Sequence, residues 1–109
     1  MLQPYETENH VDADGNPTGG TAAATGIDIA WQNGPLGRGA DRMEPNGAFV
    51  ETVIAIAADR IRFFNEASGG KFACRENSLA ITKLEEALHW LDHRTKAREQ
   101  RGVEGTHER

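Results

Sequence analysis

Along this chain the hydrophobic positions fall into three regimes. Residues 1–24 keep no sustained period: Glu6, Glu8, Asp12 and Asp14 separate the few apolar residues, and Asp14-Gly15-Asn16-Pro17 and Thr18-Gly19-Gly20 follow. Those are turn residues, through glycine's access to positive φ and proline's fixed φ, so the segment is expected to form turns or stay mobile. From residue 25 an alternation sets in, with Ile27, Ile29 and Trp31 set against Asp28, Ala30 and Gln32 and closed by Asn33-Gly34-Pro35. That period of two predicts a half-buried strand. A lone strand leaves backbone groups unmet, so it is expected to pair with the segment near Tyr5–Val11 or with another subunit.

The third regime is helical. After the glycine-interrupted loop GPLGRGADRMEP, Asn46 is placed to cap a helix by accepting from the free amides of its first turn. Val50, Ile54, Ala57, Ile61 and Phe64 then fall on one stripe, with Phe49 and Val53 beside it. Ser68-Gly69-Gly70 ends this helix, and a second is predicted from about Arg75 to Gln100, with Ile81, Leu84, Leu88 and Leu91 as its seam and Gly102 as its left-handed stop. Two helices joined by a short glycine turn make an antiparallel hairpin. The fold class expected is therefore α+β and homo-oligomeric, a small N-terminal antiparallel β region followed by a two-helix antiparallel hairpin, with a polar N-terminal segment (1–24), a strand with a Gly-rich loop (25–45), and the helical hairpin with a C-terminal loop (46–109).

Composition adds an expectation of self-association. A chain of 109 residues, 38% hydrophobic and with 12 glycines, has little with which to build a core, and small domains of this kind gain stability by sharing surface. A net charge of −5 argues against duplex nucleic acid, whose binding rests on many cation–phosphate contacts. The lone Cys74 excludes an intramolecular disulfide and suits a reducing compartment. No apolar run reaches membrane-spanning length, and the first residues lack the basic and apolar regions of a signal peptide, so neither a membrane nor export is expected.

Candidate chemistry concentrates late in the second helix. Arg94 and Arg98 stand four apart, hence on one helical face about 5–6 Å apart at Cβ, a spacing that suits two phosphates of a nucleotide-like ligand. The competing account is a set of cations compensating the helix dipole. Asn77, at the head of the seam, offers a donor and an acceptor to a base edge or ribose hydroxyl, or else fixes helix register. Phe64 and Phe72 are candidates to stack on a purine or to pack in the core. Glu86, His89 and His93 have the spacing of a partial metal face, but Trp90 stands where a zinc protease needs its glutamate, and carboxylates are too few for a di-iron bundle. No metal or cofactor is expected. GPLGRG lacks the Lys-Ser/Thr of a phosphate-binding loop, Cys74 has no evident partner, and no acid–base pair stands out, so the chain reads as a binder rather than an enzyme.

The stretches WQNGPLGRGADRMEPNGAFVE and KFACRENSLAITKLEEALHWLDHRTKAREQRGVEGTHE carry a resemblance, over roughly residues 25–108, to phage Thoeris anti-defence sponge proteins of the first class, whose helical hairpin domain is shared with anti-CBASS sponges. The resemblance implies a β region followed by the hairpin, assembled as a homo-dimer or hexamer in the cytoplasm of the infected bacterial host. It implies a protein that sequesters glycocyclic ADP-ribose made by TIR-domain proteins, and in some members cyclic di- or trinucleotides, without cleaving them. The ligand-binding residues it points to are Arg42, Asn77, Arg94 and Arg98, with Phe64 and Phe72 as candidate stacking rings. Arg101, Thr106 and His107 are the expected residues of a second nucleotide site. The alternatives are a helical-hairpin adaptor, which has no small-molecule affinity, and a phosphodiesterase, which releases an altered ligand.

Overall fold

The computed structural model describes residues 1–109. Three strands, β1 (Tyr5–Val11), β2 (Pro17–Ala24) and β3 (Ile27–Ala30), are followed by a single 3-10 turn (Gly39–Asp41) and by helices α1 (Val50–Gly70) and α2 (Arg75–Arg101). The fold is α+β. It divides into two compact units, one of residues 1–49 with 98–109 and the other of residues 50–97.

In the first unit an antiparallel sheet runs in the order β1-β2-β3. The antiparallel β region expected at the N-terminus is thus present, with Tyr5–Val11 as one of its strands; residues 17–24, expected as turns or a mobile segment, supply the strand between, and β3 pairs with β2 (Ala22 opposite Ile29, Ala24 opposite Ile27) rather than with β1. The physical reason is that β1 and β2 are held by their backbone ladder. YETENHV is exposed at every position, so burial imposes no alternation on it. The β1–β2 connection is fixed by the Asp12 carboxylate, whose Oδ1 accepts from the amides of Asp14 and Asn16, each at 2.9 Å. These amides, that of Asn16 first, hold the Asp12 carboxyl below its ordinary range. Gly20 lies at φ +147°, and a Cβ there would collide with the Glu8 carbonyl.

Beyond β3, Trp31 forms a parallel bridge with Ala48, in which the Ala48 amide donates to the Ala30 carbonyl at 2.8 Å and the Gln32 amide to the Ala48 carbonyl at 2.9 Å. Asn46 takes part in this junction instead of capping α1. Its Oδ1 accepts from the Asn33 amide at 2.8 Å and its Nδ2 donates to the Asn33 carbonyl at 3.1 Å. Its side chain is thereby committed, and α1 begins later, at Val50.

In the second unit α1 leaves helical geometry at Ala67, and Ser68 (φ 53°, ψ 40°) and Gly69 (φ 66°, ψ 25°) turn the chain in the left-handed region. The serine there is unusual, since a side chain in that region is disfavoured. Cys74 opens α2 by accepting from the Asn77 amide through Sγ at 3.4 Å, as a cap residue does from the third helical position. The helices run antiparallel, because Arg62 meets Glu85 (3.3 Å) while the later Asn65 meets the earlier Ser78 (3.4 Å). Ala58 is fully buried, and the inner stripe of α1 is Ile54, Ala58 and Ile61. Of the predicted stripe, Val50, Ala57 and Phe64 are exposed instead. The smallest apolar side chain takes the tightest place. In α2 the seam Ile81, Leu84, Leu88 and Leu91 is half-buried. Neither helix is long and apolar enough to cross a membrane.

Candidate functional site

The first unit gathers two of the expected ligand-binding arginines at one loop. At the end of α2 the chain turns through Gly102 (φ +74°). The Gly102 amide donates to the Glu99 carbonyl and the Val103 amide to the Arg98 carbonyl, each at 3.0 Å. This paired closure satisfies carbonyls that a helix end otherwise leaves free, and Val103, just beyond it, is buried. Arg98 then folds forward over the turn it ends. Its Nη2 donates to the carbonyls of Val103 (3.0 Å) and Thr106 (2.9 Å), and its Nη1 to that of Glu108.

The Gly-rich loop after β3 grips the same turn from its other side. The Gly37 amide donates to the Gly105 carbonyl at 2.9 Å, and Arg38 donates to the Gly102 carbonyl. Gly105 has φ +79°, and a Cβ on it would strike the Gly37 carbonyl, so the two backbones approach through glycine on both sides. Arg42 completes the junction with a two-pronged pair to Glu104, Nη1 to Oε2 at 2.6 Å and Nη2 to Oε1 at 2.9 Å. The Arg42 hydrogen bonds hold the Glu104 carboxyl below the usual carboxylate range, with the charges of Arg98 and Arg38 adding to the effect. The same pair raises the Arg42 guanidinium above its ordinary value.

The other expected residues are disposed differently. Thr106 donates its hydroxyl to the Val103 carbonyl and accepts from the Glu108 amide, so it is part of the loop's own fabric, while Arg101 and His107 are exposed. In the second unit Asn77 is half-buried near the start of α2 and Arg94 is exposed near its other end. They stand 17 positions apart, about 26 Å along the helix. One protomer therefore does not bring these two side chains to a single small ligand. Phe64 and Phe72 are both exposed. Arg60 lies over the rings of Phe63 and Phe64, 5.0 and 4.8 Å from their centroids, and Lys71 lies over Phe72. His93 stands edge-on to Trp90, and no group of three or more potential ligands forms a metal site.

With this geometry in place, the helical part can be set beside known proteins. Residues 23–96 match the Acb2/Tad1 hairpin domain. The chain belongs to the Acb2/Tad1 hairpin family. It is also 56% identical over 64 residues to Thoeris anti-defense 1 of Bacillus phage SBSphiJ7, an overlap that takes in 59% of this chain and 43% of that protein. The chain spans less than half the length of this relative. The hairpin match contains Arg42, Phe64, Phe72, Asn77 and Arg94, whereas Arg98, Arg101, Glu104, Thr106 and His107 lie beyond its end.

Sequence reasoning had passed over Arg38 and Glu104, both central to the loop junction. A signal for Glu104 was present: it is a lone carboxylate bracketed by Gly102 and Gly105, just after the cations Arg94, Lys96, Arg98 and Arg101.

Proposed function

We propose that this chain is a phage anti-defence protein acting against Thoeris immunity, and that it does so as a sponge, binding a cyclic nucleotide signal and sequestering it intact. The observation that carries the reading is the pair of arginines, Arg42 and Arg98, gathered at the C-terminal loop, taken with membership of the Acb2/Tad1 hairpin family and likeness to a protein named Thoeris anti-defense 1. The signal proposed is a glycocyclic ADP-ribose, held through its phosphates by Arg42, Arg94 and Arg98 and at a base or ribose edge by Asn77. Guanidinium forks suit this task because they match phosphate oxygens in pairs and keep their charge at any physiological pH. Cyclic di- or trinucleotides are the proposed cargo of a second site at Arg101, Thr106 and His107.

The distance between Asn77 and Arg94 supports an assembly of copies, since both serve one ligand only when different protomers supply them. Exposed rings support the same reading: Phe63 is 54% exposed, Phe72 52% and Trp90 73%, and large apolar side chains open to water favour association. The proposed form is a homo-dimer or hexamer, working in the cytoplasm of the infected bacterium. A sponge acts by stoichiometry, so a dissociation constant in the nanomolar range, about −12 kcal/mol, serves it better than turnover.

The deciding experiment mixes the protein with a panel of cyclic ADP-ribose isomers and cyclic di- and trinucleotides, follows binding by calorimetry, then denatures the protein and weighs the released ligand. Tight binding with intact recovery is expected. Altered ligand would make the protein a phosphodiesterase, and an absence of binding across the panel would leave the hairpin as a protein adaptor.

A further inference from the structure

The C-terminal loop sets a carboxylate on the guanidinium edge that a phosphate would take. Arg42 offers parallel N–H groups from Nη1 and Nη2, and both are occupied by the two oxygens of Glu104. A phosphate seeking the same two-pronged geometry needs the same pair of donors. Nη1 also donates to the Gly37 carbonyl of its own Gly-rich loop at 3.3 Å.

We infer that Glu104 is an internal counter-ion, which occupies the anion-binding edge of Arg42 in the free chain and is displaced when a phosphate-bearing ligand binds there. The inference rests on the reading of Arg42 as a ligand-binding residue. Three observations favour displacement over a permanent clamp. The pair is open to solvent, with the Arg42 side chain 41% and that of Glu104 25% exposed, so a dissolved anion can reach it. The loop has anchors that do not involve the Glu104 side chain: Arg98 to the Val103 and Thr106 carbonyls, Arg38 to the Gly102 carbonyl, and the Gly37 amide to the Gly105 carbonyl. The carboxylate can therefore let go without the loop unfolding. Once released it stays in the field of Arg38 and Arg98 and at the water surface, so no charge is left buried and unpaired.

The consequence is a threshold on cargo. A ligand with one weak acceptor exchanges poorly against a carboxylate held at effectively high local concentration, whereas a pyrophosphate brings enough charge to win the exchange. Acid reduces the competition by protonating Glu104, against the opposing pull of Arg38, Arg42 and Arg98, while Glu99 adds a negative field at Arg42.

The test uses the full chain and inorganic pyrophosphate as probe, titrated calorimetrically into the wild type, Glu104→Gln, Arg42→Ala and the double variant. Glu104→Gln keeps the shape and removes the charge, and it should bind pyrophosphate about tenfold more tightly. Arg42→Ala should lose that binding, and the double variant should behave as Arg42→Ala does. Weaker or unchanged binding by Glu104→Gln overturns the inference, as does a failure of both wild type and Glu104→Gln to bind pyrophosphate. A second readout needs no variant: the Glu104 carboxylate carbon, followed by NMR in the wild type, should titrate closer to an ordinary glutamate once pyrophosphate saturates the site, and an unmoved titration sinks the idea. Pyrophosphate exchange without binding of any cyclic nucleotide would leave this inference standing and overturn the sponge.

Discussion

Arg98 and Val103 bind each other twice. The Val103 amide donates to the Arg98 carbonyl and the Arg98 guanidinium donates back to the Val103 carbonyl, both at 3.0 Å. One residue thus ends the helix with its backbone and folds the following turn with its side chain. Arg98→Ala is expected to free the terminal loop at a cost of about 1–2 kcal/mol, because the carbonyls of Thr106 and Glu108 lose their donor together and that of Val103 is left with Thr106 alone. Arg98→Lys keeps the charge but lacks the planar fork, and should rescue little of the loss. Amide exchange at Val103 and Thr106 reads both variants, and protection equal to the wild type in Arg98→Ala would remove Arg98 from this role.

The Arg42–Glu104 pair gives the loop a sensitivity to acid. Glu104 ionises more readily in the folded chain than an unfolded glutamate does, so the native state binds its proton more weakly. Stability from this pair is therefore fully present above the unfolded value, about 4.3, and is lost as pH falls through the depressed folded value. Exchange of the Gly37 amide, which donates to Gly105 beside the pair, should accelerate over that acid range in the wild type and much less so in Glu104→Gln. An acid response of equal size in both proteins would assign it to other carboxylates.

Gly105 is the most demanding point of the junction. Its φ of +79° is disfavoured for any residue with a side chain, and an added Cβ would meet the backbone of Gly37, which has no flexible end to move aside. Gly105→Ala should destabilise the loop by about 2 kcal/mol or more. Gly26→Ala, at φ +78° with nothing near the added carbon, isolates the conformational part of that cost. Equal losses in the two variants by urea unfolding would show that the approach to Gly37 is not tight.

Much of the helical part was legible because burial wrote a period into it. The start of α2 at Arg75, its seam and the Gly102 stop follow from apolar spacing and from glycine's access to positive φ. The start of α1 was misread for a definite reason: Asn46 has the chemistry of a cap, but Gln32 and Asn33 claim it, and that long-range pairing leaves no local trace. Tyr5–Val11 could be named only as a possible partner of β3, since a strand exposed on both faces carries no alternation, and β2, which lies between the two, left no signal among its turn residues. At the site, the arginines were conspicuous as a cluster, whereas the engagement of Arg42 by Glu104, 62 residues away, could come only from the fold.

The displaced stripe of α1 yields its own test. Ala58 is fully buried while its neighbour Ala57 is exposed, although periodicity alone favoured Ala57 as the inner position. Ala58→Leu forces extra atoms into a filled site and should cost about 1–3 kcal/mol. Ala57→Leu, on the outer surface with leucine nearly as good a helix former as alanine, should stay within about 0.5 kcal/mol of the wild type. Thermal unfolding followed by circular dichroism distinguishes the two, and a reversed order would restore the stripe through Ala57.

Self-association is the remaining expectation from so thin a core. Only Ala58 and Val103 are buried among the hydrophobic residues, while Phe63, at 54%, and Trp90, at 73%, stand open to water. Leaving such rings exposed forgoes the stabilisation their burial would bring, about 1.5–3 kcal/mol for a phenylalanine, so an assembly that covers them is favoured. Light scattering after size exclusion should give a mass that is a multiple of the 11.9 kDa chain. Trp90→Glu and Phe63→Glu, which place a charge where apolar contact is expected, should shift that mass downward, and intrinsic tryptophan emission should move to longer wavelength on dilution of the wild type. A monomeric mass at all concentrations, with emission unchanged, would mean that the hairpin tolerates its exposed rings alone and that any ligand is held within one copy.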